Sequence, residues 1–151
     1  MTVTPRRTVV AGLVCSAAVG ASVQAQPSSG TILQPAEATP AAFLRRAFEM
    51  RDAALKAGDQ GFGAVVVRDA MIIGQAPSRV VANTDPTAHA EMEAIRDAAR
   101  RLAARSLSGA VLYSTFRPCP MCEAAAYWAG ISRLVYGEAA TDGGAPRLSR
   151  G

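Results

Sequence analysis

Two short segments hold residues whose types and spacing could do metal chemistry. One is His89-Ala90-Glu91 and the other is Pro118-Cys119-Pro120-Met121-Cys122. Asp85-Pro86-Thr87 precedes the first and predicts a helix over 88–104, with His89 and Glu91 in its opening turn. The second segment opens a helix expected over 118–130, and cysteines three apart in a first turn share one helix face. Both sulfurs could then reach one ion, and the free N–H groups and dipole of a helix start favour thiolate over thiol. His89 is the sole histidine of the chain. Two thiolates and one imidazole make three protein ligands, one fewer than a closed structural zinc site uses. The fourth position would take water, whose pKa zinc brings toward about 7. Glu91 could hydrogen-bond that water without touching the metal and carry its proton, a role worth about 10²–10⁴ in rate.

Plainer readings exist for each residue. His89 could cap a helix or face solvent. Cys119 and Cys122 could be a redox pair or a disulfide, since C-x-x-C at a helix start is also the thioredoxin-like placement. Glu91, like Glu93, could simply complement the helix dipole. Phe62, Tyr127 and Trp128 could be core, and Arg96, Arg100, Arg101 and Arg105 a solvated face.

These segments need elements to hold them. Thr39-Pro40 reads as an N-cap with proline at N1, and Phe43, Leu44, Ala47, Phe48, Ala54 and Leu55 recur at helical spacing until Gly58. Residues 62–69 are short and rich in valine, which suggests a buried strand, with residues 71–74 as its hairpin partner. Ala94, Ile95, Ala98 and Leu102 form the expected apolar face of the middle helix. Residues 110–115 and 133–136 read as further strands. The order α-β-β-α-β-α-β implies an α/β fold with a mixed sheet covered by helices.

Length and composition bound the rest. The chain has 151 residues, enough for one domain. Half the residues are apolar, too many for a disordered chain, yet no run approaches the ~18 apolar residues that a membrane helix needs. The N-terminus carries Arg6 and Arg7, an apolar stretch over 9–21 and Val23-Gln24-Ala25. That pattern predicts a twin-arginine export signal over residues 1–25, and hence a periplasmic or secreted protein delivered by the Tat machinery. Residues 26–39, rich in Pro, Ser, Ala and Thr, read as a flexible linker. Residues 40–151 are left for the folded domain. Without residues 1–25, 14 basic and 12 acidic residues remain, a balance of +2. So thin and scattered a charge argues against nucleic acid as partner and favours a small molecule. With no long apolar run, no membrane association is expected once the signal is removed. Cys15 departs with the signal, so the remaining cysteines are the two of the C-x-x-C motif.

H-x-E with P-C-x-x-C downstream is the pattern of zinc nucleobase deaminases. Residues 40–142 resemble the cytidine/deoxycytidylate deaminase superfamily. Residues 85–91, D-P-T-A-H-A-E, match a block of its guanine deaminase and tRNA adenosine deaminase branches. Phe62-Gly63-Ala64-Val65 and Ala126-Tyr127-Trp128-Ala129 resemble the guanine deaminase branch. The resemblance implies a three-layer α/β/α sandwich and one Zn²⁺ with a bound water, held by His89, Cys119 and Cys122. Glu91 becomes the proton shuttle, and the reaction is hydrolysis of the exocyclic amine of a base or nucleoside, guanine-like purines favoured, with release of ammonia. Substrate contacts are expected at Phe62, Ser78, Ala90, Trp128 and Asp142. Dimers are common in the family, so a homodimer is an expectation, although no residue fixes one. The sequence also departs from the family. Arg117 stands where a glutamate usually precedes P-C, and Ser78 where an asparagine contacts the purine. The position of a later pocket acid of the family falls near Arg150, where this sequence has no acid, and the C-terminus is short for the family. Three other readings stay open: a tRNA adenosine deaminase-like enzyme, a periplasmic thiol oxidoreductase, and a non-catalytic zinc protein.

Overall fold

Valine and alanine run without interruption through Ala64-Val65-Val66-Val67, and all four side chains are buried. A strand can bury every residue only if both sheet faces are covered. That is the case for β1 (Gly63–Arg68) in the computed structural model, which describes residues 30–148. The export signal expected over 1–25, the first residues of the linker and Arg150 lie outside the described residues.

β1 pairs antiparallel with β2 (Met71–Pro77) through a turn in which Asp69 and Ala70 both have positive φ. That combination suits the right-handed twist of the strands. On its other side β1 pairs antiparallel with β3 (Val111–Ser114), which pairs in parallel with β4 (Arg133–Tyr136). β5 (Thr141–Gly144) returns antiparallel along β4, so the strand order is β2-β1-β3-β4-β5. The sheet is mixed, as expected. β5 is a strand beyond the four predicted, and β2 continues three residues past the expected 71–74.

α1 (Pro40–Lys56) covers one face and α2 (Ala90–Leu102) with α3 (Pro120–Trp128) covers the other. Thr39 caps α1, its hydroxyl accepting from the Ala42 N–H, with Pro40 at the first helical position. Alternation along the strands sorts the core into two layers. Val65, Val67, Tyr113 and Val135 meet Phe43, Leu44 and Ala47 of α1. Ala64, Val66, Leu112 and Leu134 meet Ala90, Ala94, Ala98 and Ala126 of α2 and α3. Each large side chain so buried is worth about 1.5–3 kcal/mol. Leu55, expected in the core, is instead exposed on the outer side of α1.

Two glycines let helices lie directly on the sheet. A Cβ on Gly63 would stand 2.1 Å from the Ala47 carbonyl oxygen of α1. One on Gly74 would stand 2.5 Å from the Ala98 nitrogen of α2.

Residues 30–39, part of the segment expected as a flexible linker, are tied to the domain. The Gln34 amide donates to the Ile72 carbonyl and accepts from the Ile72 N–H, at 2.8 and 2.9 Å. It thus acts as one residue of an extra strand along the open edge of β2. The Thr31 carbonyl accepts from buried Gln75, and the Gly30 carbonyl from Arg101. Among the described residues no helix is long and apolar enough to cross a membrane.

Candidate metal centre

The strand register brings one end of the sheet into focus. Gly63 opposes Pro77, Ala64 opposes Ser114, and Ser114 lies beside Tyr136. The loop after β2 and the loop after β3 therefore leave from the same end, and each runs into a helix. The N-cap of α2 is His89 and the N-cap of α3 is Cys119. Neither side chain caps its own helix, so each is free to turn toward the other. Two helix N-termini thus converge on one point, and their combined field favours anionic groups there.

The histidine Nδ1 lies 3.7 Å from the Cys119 Sγ and 3.6 Å from the Cys122 Sγ, and the two sulfurs are 3.6 Å apart. Tetrahedral zinc with bonds of about 2.3 Å to sulfur and about 2.0 Å to nitrogen would need S···S of about 3.8 Å and S···N of about 3.5 Å. Each side of the triangle in the protein is within about 0.2 Å of those lengths. A disulfide would need about 2.05 Å, and both thiols are free. These three residues form the cluster of metal-binding type among the described residues.

Glu91 sits in the next position of the same corner. It is 7% exposed, and the Cys122 thiol donates to its Oε2 across 3.7 Å. Burial raises the Glu91 carboxyl above its ordinary range, against the lowering pull of its own backbone N–H and of His89. Burial also pushes the Cys122 thiol well up, reinforced by the Glu91 carboxylate and the Cys119 sulfur. Three anion-forming groups are thus crowded into one buried corner, a donor set that a divalent cation resolves.

The other expected contact residues are distributed more widely. Phe62 stands at the same end of the sheet, its ring edge-on to Phe116 at 6.3 Å. The two rings line a cleft of about 510 Å³ with Phe48, Arg51, Thr115 and Glu138. Ser78 is brought close to the metal corner, since its N–H bonds to the Phe62 carbonyl and the Arg79 N–H to the Ala88 carbonyl. Its hydroxyl, however, donates to Asp59. The Ala90 side chain is buried in the core under α2. Trp128 lies at the far end of α3, roughly 13 Å along the axis from Cys119 at 1.5 Å per residue. There it is exposed beside Ala104, Arg105 and Ser106. Asp142 is exposed on β5 and paired with Arg133 at the opposite end of β4. Neither Trp128 nor Asp142 is gathered with the metal donors. Arg117 is exposed, two residues before Cys119. Of the arginines expected on a solvated face, Arg101 instead pairs with fully buried Asp97 and Arg96 with Glu93.

Sequence reasoning missed Asp59, a buried carboxylate with four hydrogen-bond donors around it. Its one visible signal is an acid just past the Gly58 helix stop, a common turn placement that says nothing about distant partners.

Comparison with known proteins agrees with this geometry. The family model described as "Cytidine and deoxycytidylate deaminase zinc-binding region" matches residues 38–138. The chain is 44% identical over 101 residues to the guanine deaminase of Bacillus subtilis, covering 66% of this chain and 65% of that one. It is 39% identical over 94 residues to the tRNA-specific adenosine deaminase of Aquifex aeolicus, 62% of each chain. The X-ray structure of the Bacillus subtilis guanine deaminase superposes with a TM-score of 0.61 at 40% identity over 69% of each chain. The matched region spans just under two thirds of the length of these curated relatives.

Proposed function

The chain belongs to the cytidine and deoxycytidylate deaminase family, and on that premise we propose that it is a zinc-dependent hydrolase that removes the exocyclic amine of a nucleobase or nucleoside, purines favoured. The observation that carries this reading is the His89–Cys119–Cys122 triangle with the Glu91 carboxylate against one corner. His89, Cys119 and Cys122 would hold one zinc. When bound, the ion supplies the Lewis acidity that makes water acidic near neutral pH. Glu91 then takes the proton of the attacking water at a carboxylate oxygen and returns it to the departing nitrogen. Amine and water become carbonyl and ammonia, with no oxidant or reductant consumed. The buried setting of Glu91 keeps bulk water away from that proton. Phe62 and Phe116 offer aromatic surfaces to a planar ring at the same end of the sheet.

The test is an ammonia-release screen of the zinc-loaded chain over guanine, guanosine, adenine, cytosine and cytidine. Release from a purine supports the reading, and no release from any of the five contradicts it. A second reading, adenosine in tRNA, is favoured by the likeness to the Aquifex aeolicus enzyme. Inosine appearing in tRNA at about 150 mM salt would support it, since a binding mode that survives such salt rests on more than a thin positive surface. The twin-arginine segment over residues 1–25 supports export to the periplasm or beyond, and cell fractionation with N-terminal sequencing after Ala25 checks it.

A further inference from the structure

Asp59 occupies the turn between α1 and β1, just past Gly58. Its Oδ1 accepts from the Ser78 hydroxyl at 2.9 Å and the Gln60 N–H at 2.7 Å. Its Oδ2 accepts from the N–H groups of Val81 and Ala82, at 3.0 and 2.9 Å. Three of these four donors belong to the loop 78–88, which ends at His89. Burial alone would raise this carboxyl, yet the bonds from Ala82, Gln60, Ser78 and Val81 outweigh it and hold the group below its ordinary range. Removing this carboxylate takes the one shared acceptor away from four donors, three of them on the loop.

The loop is otherwise closed on itself. The Asp85 N–H bonds to Val80, the Ala88 N–H to Asp85, and the Arg79 N–H to the Ala88 carbonyl across the neck. The Asp85 carboxylate takes the N–H and hydroxyl of Thr87. The loop is thus braced internally, and on the β2 side it is held to the rest of the domain by Asp59 together with the Ser78 N–H bond to the Phe62 carbonyl. The Arg79–Ala88 clamp passes that attachment to the residue directly before the imidazole.

We propose that Asp59 is a positioning residue for the metal centre. By holding Ser78, Val81 and Ala82 it fixes the neck from which the loop delivers His89 to the two sulfurs. The inference rests on the zinc-deaminase reading, and it goes further in making metal affinity depend on a carboxylate that is not a ligand. Groups that orient a ligand by bonding to it directly are worth about 10–100-fold in metal affinity, and Asp59 acts on His89 one step further out, through the loop.

The test uses Co²⁺ as probe, read by its thiolate charge-transfer and d–d absorption and quantified against a competing chelator. Asp59→Ala, with helical circular dichroism retained, should bind Co²⁺ at least about 10-fold more weakly than the unmodified chain, and with an altered d–d envelope. Asp59→Asn keeps the size and half the acceptors, so it should fall between the two. The asparagine variant decides the question should the alanine variant fail to fold. Gln34→Ala provides the stability control. It removes two hydrogen bonds at Ile72, near the other end of β2, and should lower the melting temperature while leaving Co²⁺ affinity unchanged. Affinity within twofold of the parent in both Asp59 variants overturns the proposal, as does equal weakening in Gln34→Ala at a matched loss of stability. A parent chain that takes up no Co²⁺ overturns the deaminase reading as well. Normal uptake by the parent and by the Asp59 variants overturns this proposal alone.

Discussion

Replacing Glu91 by glutamine separates proton transfer from everything else this side chain does. The amide has nearly the same size and shape, so the packing of a residue that is 7% exposed is preserved. The first turn of α2 and His89, two residues away, stay as they are. What disappears is a group able to accept a proton and give it back. Glu91→Gln should therefore lower kcat/KM by about 10²–10⁴, which is roughly 2.7–5.5 kcal/mol of transition-state stabilisation. Zinc content should remain that of the parent, because the carboxylate is not one of the three donors in the 3.6–3.7 Å triangle. Nor should the metal-free fold lose stability, since a neutral amide is cheaper to bury than a carboxylate beside two sulfurs. The assay is ammonia release on the best substrate of the screen, with zinc analysis and a melting curve on the same preparation. Activity within fivefold of the parent would remove Glu91 from the mechanism. Lost zinc would show instead that the carboxylate holds the ion.

Gly63→Ala places a methyl 2.1 Å from the Ala47 carbonyl oxygen, so α1 must move outward by more than 1 Å. Overpacking of this kind costs about 3 kcal/mol, or roughly 10 °C in melting temperature, and a change under 2 °C would contradict the close helix–sheet contact. Ala70→Gly relieves a left-handed alanine at φ 60°, worth about 1–2 kcal/mol, against about 0.4–1 kcal/mol of added chain entropy. The melting temperature should rise by roughly 2–4 °C, and a fall would refute the turn conformation. Asp59 is held below its unfolded value of 3.8, so its contribution is present above that pH and lost as the pH falls through its folded value. The melting temperature should drop below about pH 4, and less steeply in Asp59→Asn; equal slopes would mean that Asp59 contributes nothing.

The cluster of His89, Cys119 and Cys122 is legible in the sequence because its signals are local. Helix starts at His89 and Cys119 and a three-residue spacing suffice to point side chains, and the valine run of β1 announces a strand covered on both faces. The features that are not legible depend on distant partners. β5 is Thr141-Asp142-Gly143-Gly144, with no strand pattern of its own, and it exists because the β4 edge pairs with it. Residues 30–39 have the composition of a tether, but one amide, that of Gln34, finds Ile72 38 residues on. Asp59 gains its meaning from Ser78, Val81 and Ala82, 19 to 23 residues later. Likeness to a family motif puts Trp128 in the pocket, whereas the length of α3 carries it to the other end of the helix.

The proposed chemistry depends on a three-ligand ion site with one position left for water. X-ray absorption at the zinc edge of the loaded chain reads that site atom by atom. One zinc per chain is expected, with two sulfurs at about 2.3 Å and two lighter atoms, one imidazole nitrogen and one oxygen, at about 2.0–2.1 Å. A shell of four sulfurs, or a chain that takes up no zinc while its two thiols remain reduced, would contradict it.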